Sequence, residues 1–116
     1  MALQVYGIKN CNTVKKALTW LDDNNIAYRF HDYKKEPATS EQLTAWEKKV
    51  SWESLVNKKG TTWRKLNPEE QAAVVDANSA NAVLLRNNSM IKRPLIESPK
   101  GIILGFDEEE YQDKLK

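Results

Sequence analysis

The sequence predicts an α/β fold in which a β-α-β unit and a β-β-α unit flank a helical insertion. Three observations support this prediction. Two strand patterns enclose an amphipathic helix early in the chain, several helix-start signals follow between about 39 and 88, and two apolar runs joined by a turn precede an acidic helix start. With 116 residues, 41% of them hydrophobic, we expect one domain, 1–116, that contains the helical insertion at about 39–88.

The first strand is predicted at residues 3–6, and the first helix begins near Asn12. The helix carries apolar residues at helical spacing: Val14, Ala17, Leu18 and Leu21. Asn24 and Asn25 end it, and residues 26–33 alternate as a second strand would. A crossover of this length predicts parallel strands joined in the right-handed sense. The loop that precedes the helix then lies at the carboxyl edge of the sheet, where ligands of open α/β sheets tend to bind.

The middle of the chain is predicted to be mostly helical. Thr39 or Ser40 is the expected N-cap of one helix, and Asn67, with Pro68 and two acidic residues after it, is the cap of another that runs to about Asp76. The other predicted features are a short helix at most at 51–56, a loop at 57–62 that leads into 63–66, and a helix from 80 to 87 that Ser79 begins.

The last third returns to strands. Residues 95–97 and 102–106 are predicted to pair as a hairpin through the turn at 98–101, which contains Pro99 and Gly101. A final helix begins at Asp107, and its acidic first turn suits the positive end of the helix dipole. The whole pattern predicts a mixed four-stranded sheet.

Composition excludes several classes of function. The net charge is +2, from 18 basic and 16 acidic side chains, so the chain lacks the broad basic field that direct nucleic-acid binding requires. No apolar segment approaches the roughly 20 residues that cross a bilayer. The N-terminus lacks the pattern of a secretory signal, and a single cysteine cannot form an internal disulfide, so we expect a cytoplasmic protein. No exposed apolar stripe indicates a dimer, and we expect a monomer.

Cys11 is the only cysteine, and it stands between the first strand and the first helix. A thiol at a helix N-terminus faces unpaired backbone N–H groups and the positive end of the dipole, which favour the reactive thiolate. Lys9, Lys15 and Lys16 add positive charge nearby. The alternative is that Cys11 is a small buried hydrophobe.

Other candidate chemistry is limited. One cysteine and one histidine cannot form a zinc site, so no metal is expected. His31 lies late in the second predicted strand, and we assign it no role. The four tryptophans are expected to fill mostly the core, although Trp63, beside Arg64, could form a wall near the thiol.

The layout resembles a thioredoxin-like, or glutaredoxin-like, fold, with one cysteine after the first strand and a proline before the third. Three segments, at residues 6–17, 60–64 and 92–96, resemble the arsenate reductase-related ArsC/Spx family, and most closely its YffB-type members. The resemblance covers nearly the whole chain. It implies a glutathione-dependent thiol-disulfide oxidoreductase with Cys11 as the single nucleophile, no bound cofactor, and glutathione as co-substrate.

Two other branches of the family provide alternatives. Arsenate reductases coupled to glutathione and glutaredoxin follow the cysteine with a Gly-Thr-Ser-Arg type run, whereas this chain has Asn12, Thr13, Val14 and Lys15. Spx-type regulators bind RNA polymerase and use a Cys-x-x-Cys switch. Val14 takes the place of the second cysteine here, so an intramolecular switch of that type is excluded.

The resemblance also implies which residues surround the thiol. Arg64 and Arg93 correspond to family arginines whose guanidinium groups pair an anion, and a cis Pro94, as in thioredoxin-like folds, would present the Arg93 backbone beside the Cys11 thiol. Asn12 and Thr13 could donate to the thiolate or to an arriving anion, and we rank Lys15 above Lys9 as a further anion-binding residue. Glutathione or a glutaredoxin is the expected partner, and RNA polymerase is the alternative.

Overall fold

A mixed four-stranded sheet forms the first of two structural units. The computed structural model describes residues 2–116. Residues 2–36 and 93–116 form the sheet unit, and Pro37–Lys92 form the helical unit. That the chain is one domain, with an insertion at about 39–88, stays a prediction.

The sheet contains β1 (Leu3–Gly7), β2 (Tyr28–Asp32), β3 (Leu95–Ser98) and β4 (Gly101–Leu104), in the order β2-β1-β3-β4. β1 and β2 are parallel, and the β1–β3 and β3–β4 pairs are antiparallel. The predicted α/β class, the mixed sheet and the parallel first pair are confirmed. Gly101, with φ +116°, lies in the left-handed region where glycine is tolerated best, at the end of the hairpin turn.

One face of the sheet carries the core of this unit. Val5 and Ile96 pair across β1 and β3, and both are fully buried. The core includes residues of two helices, α1 (Asn12–Asp23) and α7 (Glu108–Leu115): Ala17, Trp20, Leu21 and Tyr111. The apolar spacing of α1 therefore faces this core, as its sequence pattern predicts.

The opposite face of the sheet is polar and aromatic. Strand alternation places Gln4 and Tyr6 of β1 on this face, with His31 of β2 opposite Tyr6 and Glu97 of β3 opposite Gln4. The rings of Tyr6 and His31 stack with their centroids 4.6 Å apart. This face thus carries ionisable side chains within a regular sheet.

The helical unit consists of short helices joined by tight turns: α2 (Ser40–Glu47), α3 (Trp52–Leu55), α4 (Thr61–Arg64), α5 (Pro68–Ala72), α6 (Ala77–Arg86) and a 3₁₀ turn, Asn88–Met90. Capping boxes at Thr39, Asn67 and Asp76 begin three of these helices. Leu43 and Leu84 are fully buried where α2 packs on α6. Of the four tryptophans in the chain, Trp20 and Trp46 are buried and the other two are half-buried.

Three predicted boundaries in this unit are wrong. α5 ends at Ala72 rather than near Asp76, because the Asp76 carboxylate accepts from the Ser79 N–H at 2.8 Å and is the N-cap of the next helix. α6 accordingly begins at Ala77, before Ser79. Thr61 belongs to α4 rather than to a loop, because the Lys65 N–H donates to its carbonyl oxygen at 3.0 Å.

Candidate active site

Cys11 is the N-cap residue of α1. Its backbone is extended, with φ −136° and ψ 126°, and its carbonyl oxygen accepts from the Lys15 N–H at 2.9 Å. Its side chain forms no capping hydrogen bond. The thiol is therefore at the helix N-terminus that the sequence predicts, and it is not used to hold the helix together.

The Cys11 side chain is partly exposed, which contradicts the alternative that it is a buried hydrophobe. Asn12 and Thr13, in the first turn of α1, are exposed as well. Backbone N–H groups of a first helical turn have no intrahelical acceptor. The thiol and these donors are thus available together to a solute.

Arg93 and Pro94 lie at the same edge of the sheet unit as the segment that leads to Cys11. Leu95 pairs with Tyr6 in the antiparallel β1–β3 ladder, so the two residues before Leu95 run alongside the end of β1. The Arg93–Pro94 bond is cis, which the sequence alone does not decide. The Pro94 carbonyl accepts from Gly105 at 2.9 Å, which fixes this segment on the sheet.

The Arg93 side chain is partly exposed, but its Nε atom is buried and has no hydrogen-bond partner among the described residues. Arg93 also acts electrostatically on Tyr33, which follows β2. The Nε–H is therefore a buried donor without an acceptor among residues 2–116, and the anion-binding role of Arg93 stays a prediction.

The sequence predicts Tyr33 only as part of the second strand, and in the structure it follows β2. Its backbone N–H donates to the Gly7 carbonyl at 2.9 Å, and its ring stacks near Tyr6 with centroids 6.4 Å apart. Burial, and next the neighbouring Tyr6, raise the pKa of Tyr33, while the positive charge of Arg93 partly opposes the rise. Its hydroxyl therefore stays protonated at neutral pH.

His31 has polar partners on the same face. Its Nε2 lies 2.6 Å from the Gln4 Oε1, and its Nδ1 lies 3.3 Å from the Glu36 carboxylate. Both ring nitrogens are thus engaged within the sheet unit.

Three predicted residues remain: Lys15, Arg64 and Trp63. Lys15 is exposed and lines a groove of about 510 Å³ whose wall includes Trp20 and Phe106. Arg64 is the exposed last residue of α4 in the helical unit, and Lys58 lies with its Nζ 5.4 Å from the ring centroid of Trp63. The anion-binding roles of Lys15 and Arg64, and the role of Trp63 as a wall, stay predictions.

Residues 2–116 lack two further kinds of functional feature. That part of the chain has no group of three or more potential metal-ligating side chains. It also has no helix that is long and apolar enough to cross a bilayer.

Comparison with known proteins then identifies the family. The model of the ArsC family matches residues 6–114. The chain belongs to the ArsC family. A solved YffB protein is 40% identical, with a TM-score of 0.92 over 99% of this chain and 100% of that one. The thioredoxin-like fold that the ArsC resemblance implied is confirmed.

Other proteins are similar to this chain over most of their length. A solved arsenate reductase (ArsC) related protein from Brucella melitensis is 46% identical, with a TM-score of 0.79, over 100% of this chain and 96% of that one. An uncharacterized protein from Haemophilus influenzae is 46% identical over 95% of this chain and 96% of its own. The global transcriptional regulator Spx of Listeria innocua is more distant, at 20% identity over 93% and 82% of the two chains.

Proposed function

We propose that this ArsC-family protein is a cytoplasmic, glutathione-dependent thiol-disulfide oxidoreductase in which Cys11 is the nucleophile. The observation that carries the proposal is the state of the Cys11 side chain, which is partly exposed at the N-cap of α1 and forms no capping hydrogen bond. A thiol in this position is accessible to a disulfide, and the helix N-terminus favours its thiolate.

The reaction at Cys11 is two successive thiol-disulfide exchanges. The Cys11 thiolate attacks one sulfur of a substrate disulfide, a new sulfur–sulfur bond forms, and the other sulfur leaves as a thiolate that takes up a proton from water. The thiolate of glutathione then attacks the mixed disulfide, forms a disulfide with the bound half of the substrate, and releases the Cys11 thiolate. At this point one half of the substrate has been released as a thiol and the other half is joined to glutathione. Exchange of that mixed disulfide with a second glutathione releases the second thiol and forms glutathione disulfide, so two glutathione molecules are oxidised for each substrate disulfide reduced.

The resolving thiol must come from another molecule. Cys11 is the only cysteine in the chain. Val14, at the position of the second cysteine in a Cys-x-x-Cys motif, is fully buried in α1. A free glutathione molecule, or a glutaredoxin, supplies the second thiol in this proposal.

Positive groups around the thiol assist in two ways. The Arg93 guanidinium, which has no partner at Nε, pairs with an anionic group of the substrate or of glutathione. Lys15, exposed near the start of α1, contributes further positive charge, and the family resemblance implies an anion-binding role for Arg64 as well. Asn12 and Thr13 provide first-turn donors for the sulfur that carries negative charge as it leaves.

Mass spectrometry tests the proposal directly. The intact protein is incubated with glutathione disulfide, and a glutathione adduct is expected on Cys11 and is expected to disappear when reduced glutathione is added. The Cys11→Ser variant, treated in parallel, should remain unmodified. Absence of an adduct on the wild-type chain under conditions that modify a free thiol peptide would contradict the proposal.

A second candidate function is a regulator that binds RNA polymerase. The Spx proteins among the relatives favour it. Affinity capture with purified RNA polymerase discriminates between the two functions, because a regulator binds irrespective of the thiol. Retention of binding by Cys11→Ser, together with no adduct on the wild-type protein, would support the regulator.

A third candidate is an arsenate reductase, which the similarity to the Brucella melitensis protein favours. Consumption of NADPH in a coupled reaction with arsenate, glutathione, glutaredoxin and glutathione reductase would show this activity. Dependence on Cys11, tested with Cys11→Ser, distinguishes catalysis by this chain from background reduction.

A further inference from the structure

Two polar atoms of the sheet unit are buried without a hydrogen-bond partner among the described residues. They are the Tyr33 hydroxyl oxygen and the Arg93 Nε. Tyr33 is only 3% exposed, so water cannot readily surround its hydroxyl. Buried polar side-chain atoms are paired in the large majority of cases, and each exception requires a reason.

The two residues lie at one edge of the sheet unit. The Tyr33 N–H donates to the carbonyl of Gly7, the last residue of β1, and Arg93 runs alongside the same strand end. The positive charge of Arg93 acts on the Tyr33 hydroxyl. The chain continues from this end of β1 to Cys11, so the pair belongs to the edge that carries the thiol.

Both groups are hydrogen-bond donors. Arg93 Nε carries one hydrogen of the guanidinium group, and the Tyr33 hydroxyl carries one as well, with burial raising the pKa of Tyr33. Glu97 also acts on Tyr33, but its carboxylate accepts from the Tyr6 hydroxyl at 3.2 Å. Two unsatisfied donors, one of them charged, suit an anionic oxygen.

We propose that Tyr33 is a positioning residue whose hydroxyl, together with Arg93 Nε–H, binds an anionic oxygen of the substrate beside the Cys11 thiol. The proposal rests on the proposed function and specifies its substrate class: disulfides that carry a carboxylate near the sulfur. Arg93 is partly exposed although its Nε is buried, so the approach of a solute to the pair requires the Arg93 side chain to move aside. An inorganic oxyanion presents the same chemistry, and the test distinguishes the two sources.

The first arm compares two disulfides with the full-length protein. Rates of adduct formation on Cys11 are measured by mass spectrometry with dithiodipropionic acid, which carries carboxylates, and with bis(hydroxyethyl) disulfide, which is neutral. We expect the wild-type protein to prefer the carboxylated disulfide and Tyr33→Phe to lose about tenfold in rate with that disulfide alone, as for a hydrogen bond to a charged group.

The second arm uses inorganic phosphate, at constant ionic strength, as the probe for an oxyanion. If the oxygen bound by Tyr33 and Arg93 belongs to an inorganic oxyanion, phosphate should slow the alkylation of Cys11 by iodoacetamide in the wild-type protein. It should not slow that alkylation in Tyr33→Phe. If Tyr33→Phe loses the preference for the carboxylated disulfide and phosphate has no effect on alkylation, the bound oxygen belongs to a carboxylate of the substrate. An effect in either arm supports the proposed pair.

Tyr111→Phe provides the matched control, because its hydroxyl donates to the Gly105 carbonyl at 2.6 Å and has a structural role. We expect this variant to melt at a lower temperature and to keep the preference for the carboxylated disulfide. Tyr33→Phe removes an unpaired hydroxyl, so its melting temperature should be unchanged or higher.

Several outcomes would overturn the proposal. Tyr33→Phe would match the wild-type protein in both arms if the pair holds only a water molecule. Equal slowing with both disulfides, with a lower melting temperature, would show a merely structural role. Failure of the wild-type protein to react with any disulfide would contradict the proposed function instead, and the phosphate arm, which needs only alkylation, would still decide the role of Tyr33.

Discussion

Tyr33 donates its backbone N–H to the carbonyl oxygen of Gly7 at 2.9 Å, and this bond extends the parallel β1–β2 ladder to the last residue of β1. The chain that leaves β2 is therefore held against the strand end from which the chain continues to Cys11. Gly7 is buried at this point, with Val14 of α1 above it. The close approach of strand and helix fixes where α1 starts.

Substitution of Gly7 by alanine tests this close approach. A Cβ at residue 7 would lie 3.0 Å from the Val14 Cγ2, and Val14 is fully buried with little freedom to move. We expect Gly7→Ala to lower the free energy of unfolding by about 1–3 kcal/mol through overpacking. Urea unfolding measures the change.

The double variant Gly7→Ala, Val14→Ala supplies the control. Removal of the two Val14 methyl groups makes room for the new Cβ, so the double variant should be more stable than the sum of the two single changes predicts. Strict additivity of the two effects would show that the cost at residue 7 has another origin.

Cys11→Ser is expected to stabilise the protein while it abolishes thiol chemistry. The Cys11 side chain makes no capping bond at the N-terminus of α1, whereas a serine hydroxyl accepts from a first-turn N–H. We expect a gain of about 0.5–1 kcal/mol in the free energy of unfolding, which is measured by urea denaturation. Cys11→Ala removes the sulfur without adding a cap, and it should show no gain. A serine variant less stable than the alanine variant would refute this account of the N-cap.

The thiol could be located from the sequence because strand and helix signals converge on it. The apolar spacing of α1 is regular, and Cys11 precedes the first helical residue, so propensity and packing agree. Arg93 could be predicted as a site residue only through the family resemblance. No local sequence pattern indicates that a residue from the last quarter of the chain lies beside the end of β1. Tyr33 could not be recognised, because its importance depends on burial and on an unpaired hydroxyl, which only the tertiary structure defines.

The boundary between α5 and α6 shows a different limit of sequence reasoning. Asp76 and Ser79 are both good N-cap residues, and the sequence alone does not decide between them. In the structure Asp76 is the N-cap, and Ser79 is the third helical residue whose hydroxyl accepts from the Asp76 N–H at 3.1 Å. Asp76 and Ser79 thus form one capping box at the start of α6. The prediction instead assigned Asp76 to the end of α5 and Ser79 to the start of α6.

Tyr111→Phe is expected to destabilise the sheet unit. The Tyr111 hydroxyl donates to the Gly105 carbonyl at 2.6 Å, and the ring packs edge-on against Trp20 and Phe106. Phenylalanine keeps the ring contacts but leaves a buried carbonyl without its donor, at a cost of about 1–3 kcal/mol. Thermal and urea unfolding measure the loss. Stability equal to that of the wild-type protein would show that Gly105 finds another donor.

Asp76 should make stability depend on pH in the acid range. Hydrogen bonds from the Ser79 backbone N–H, and then from its hydroxyl, hold the pKa of Asp76 below its ordinary value of 3.8. Because the folded-state pKa is the lower one, the carboxylate contributes stability above the ordinary pKa. That contribution is lost as the pH falls through the depressed value.

Asp76→Asn isolates this effect, because asparagine keeps a capping oxygen and has no charge to titrate. We expect the wild-type protein to be more stable than the variant at neutral pH, and the difference to shrink as the pH falls toward the depressed pKa of Asp76. Urea unfolding of both proteins across the acid range measures the difference. Ser79→Ala removes the hydroxyl that contributes to the depression, so it should bring the midpoint of the pH dependence closer to 3.8. A constant difference between wild type and Asp76→Asn at every pH would assign the stabilisation to hydrogen-bond geometry rather than to the charge on Asp76.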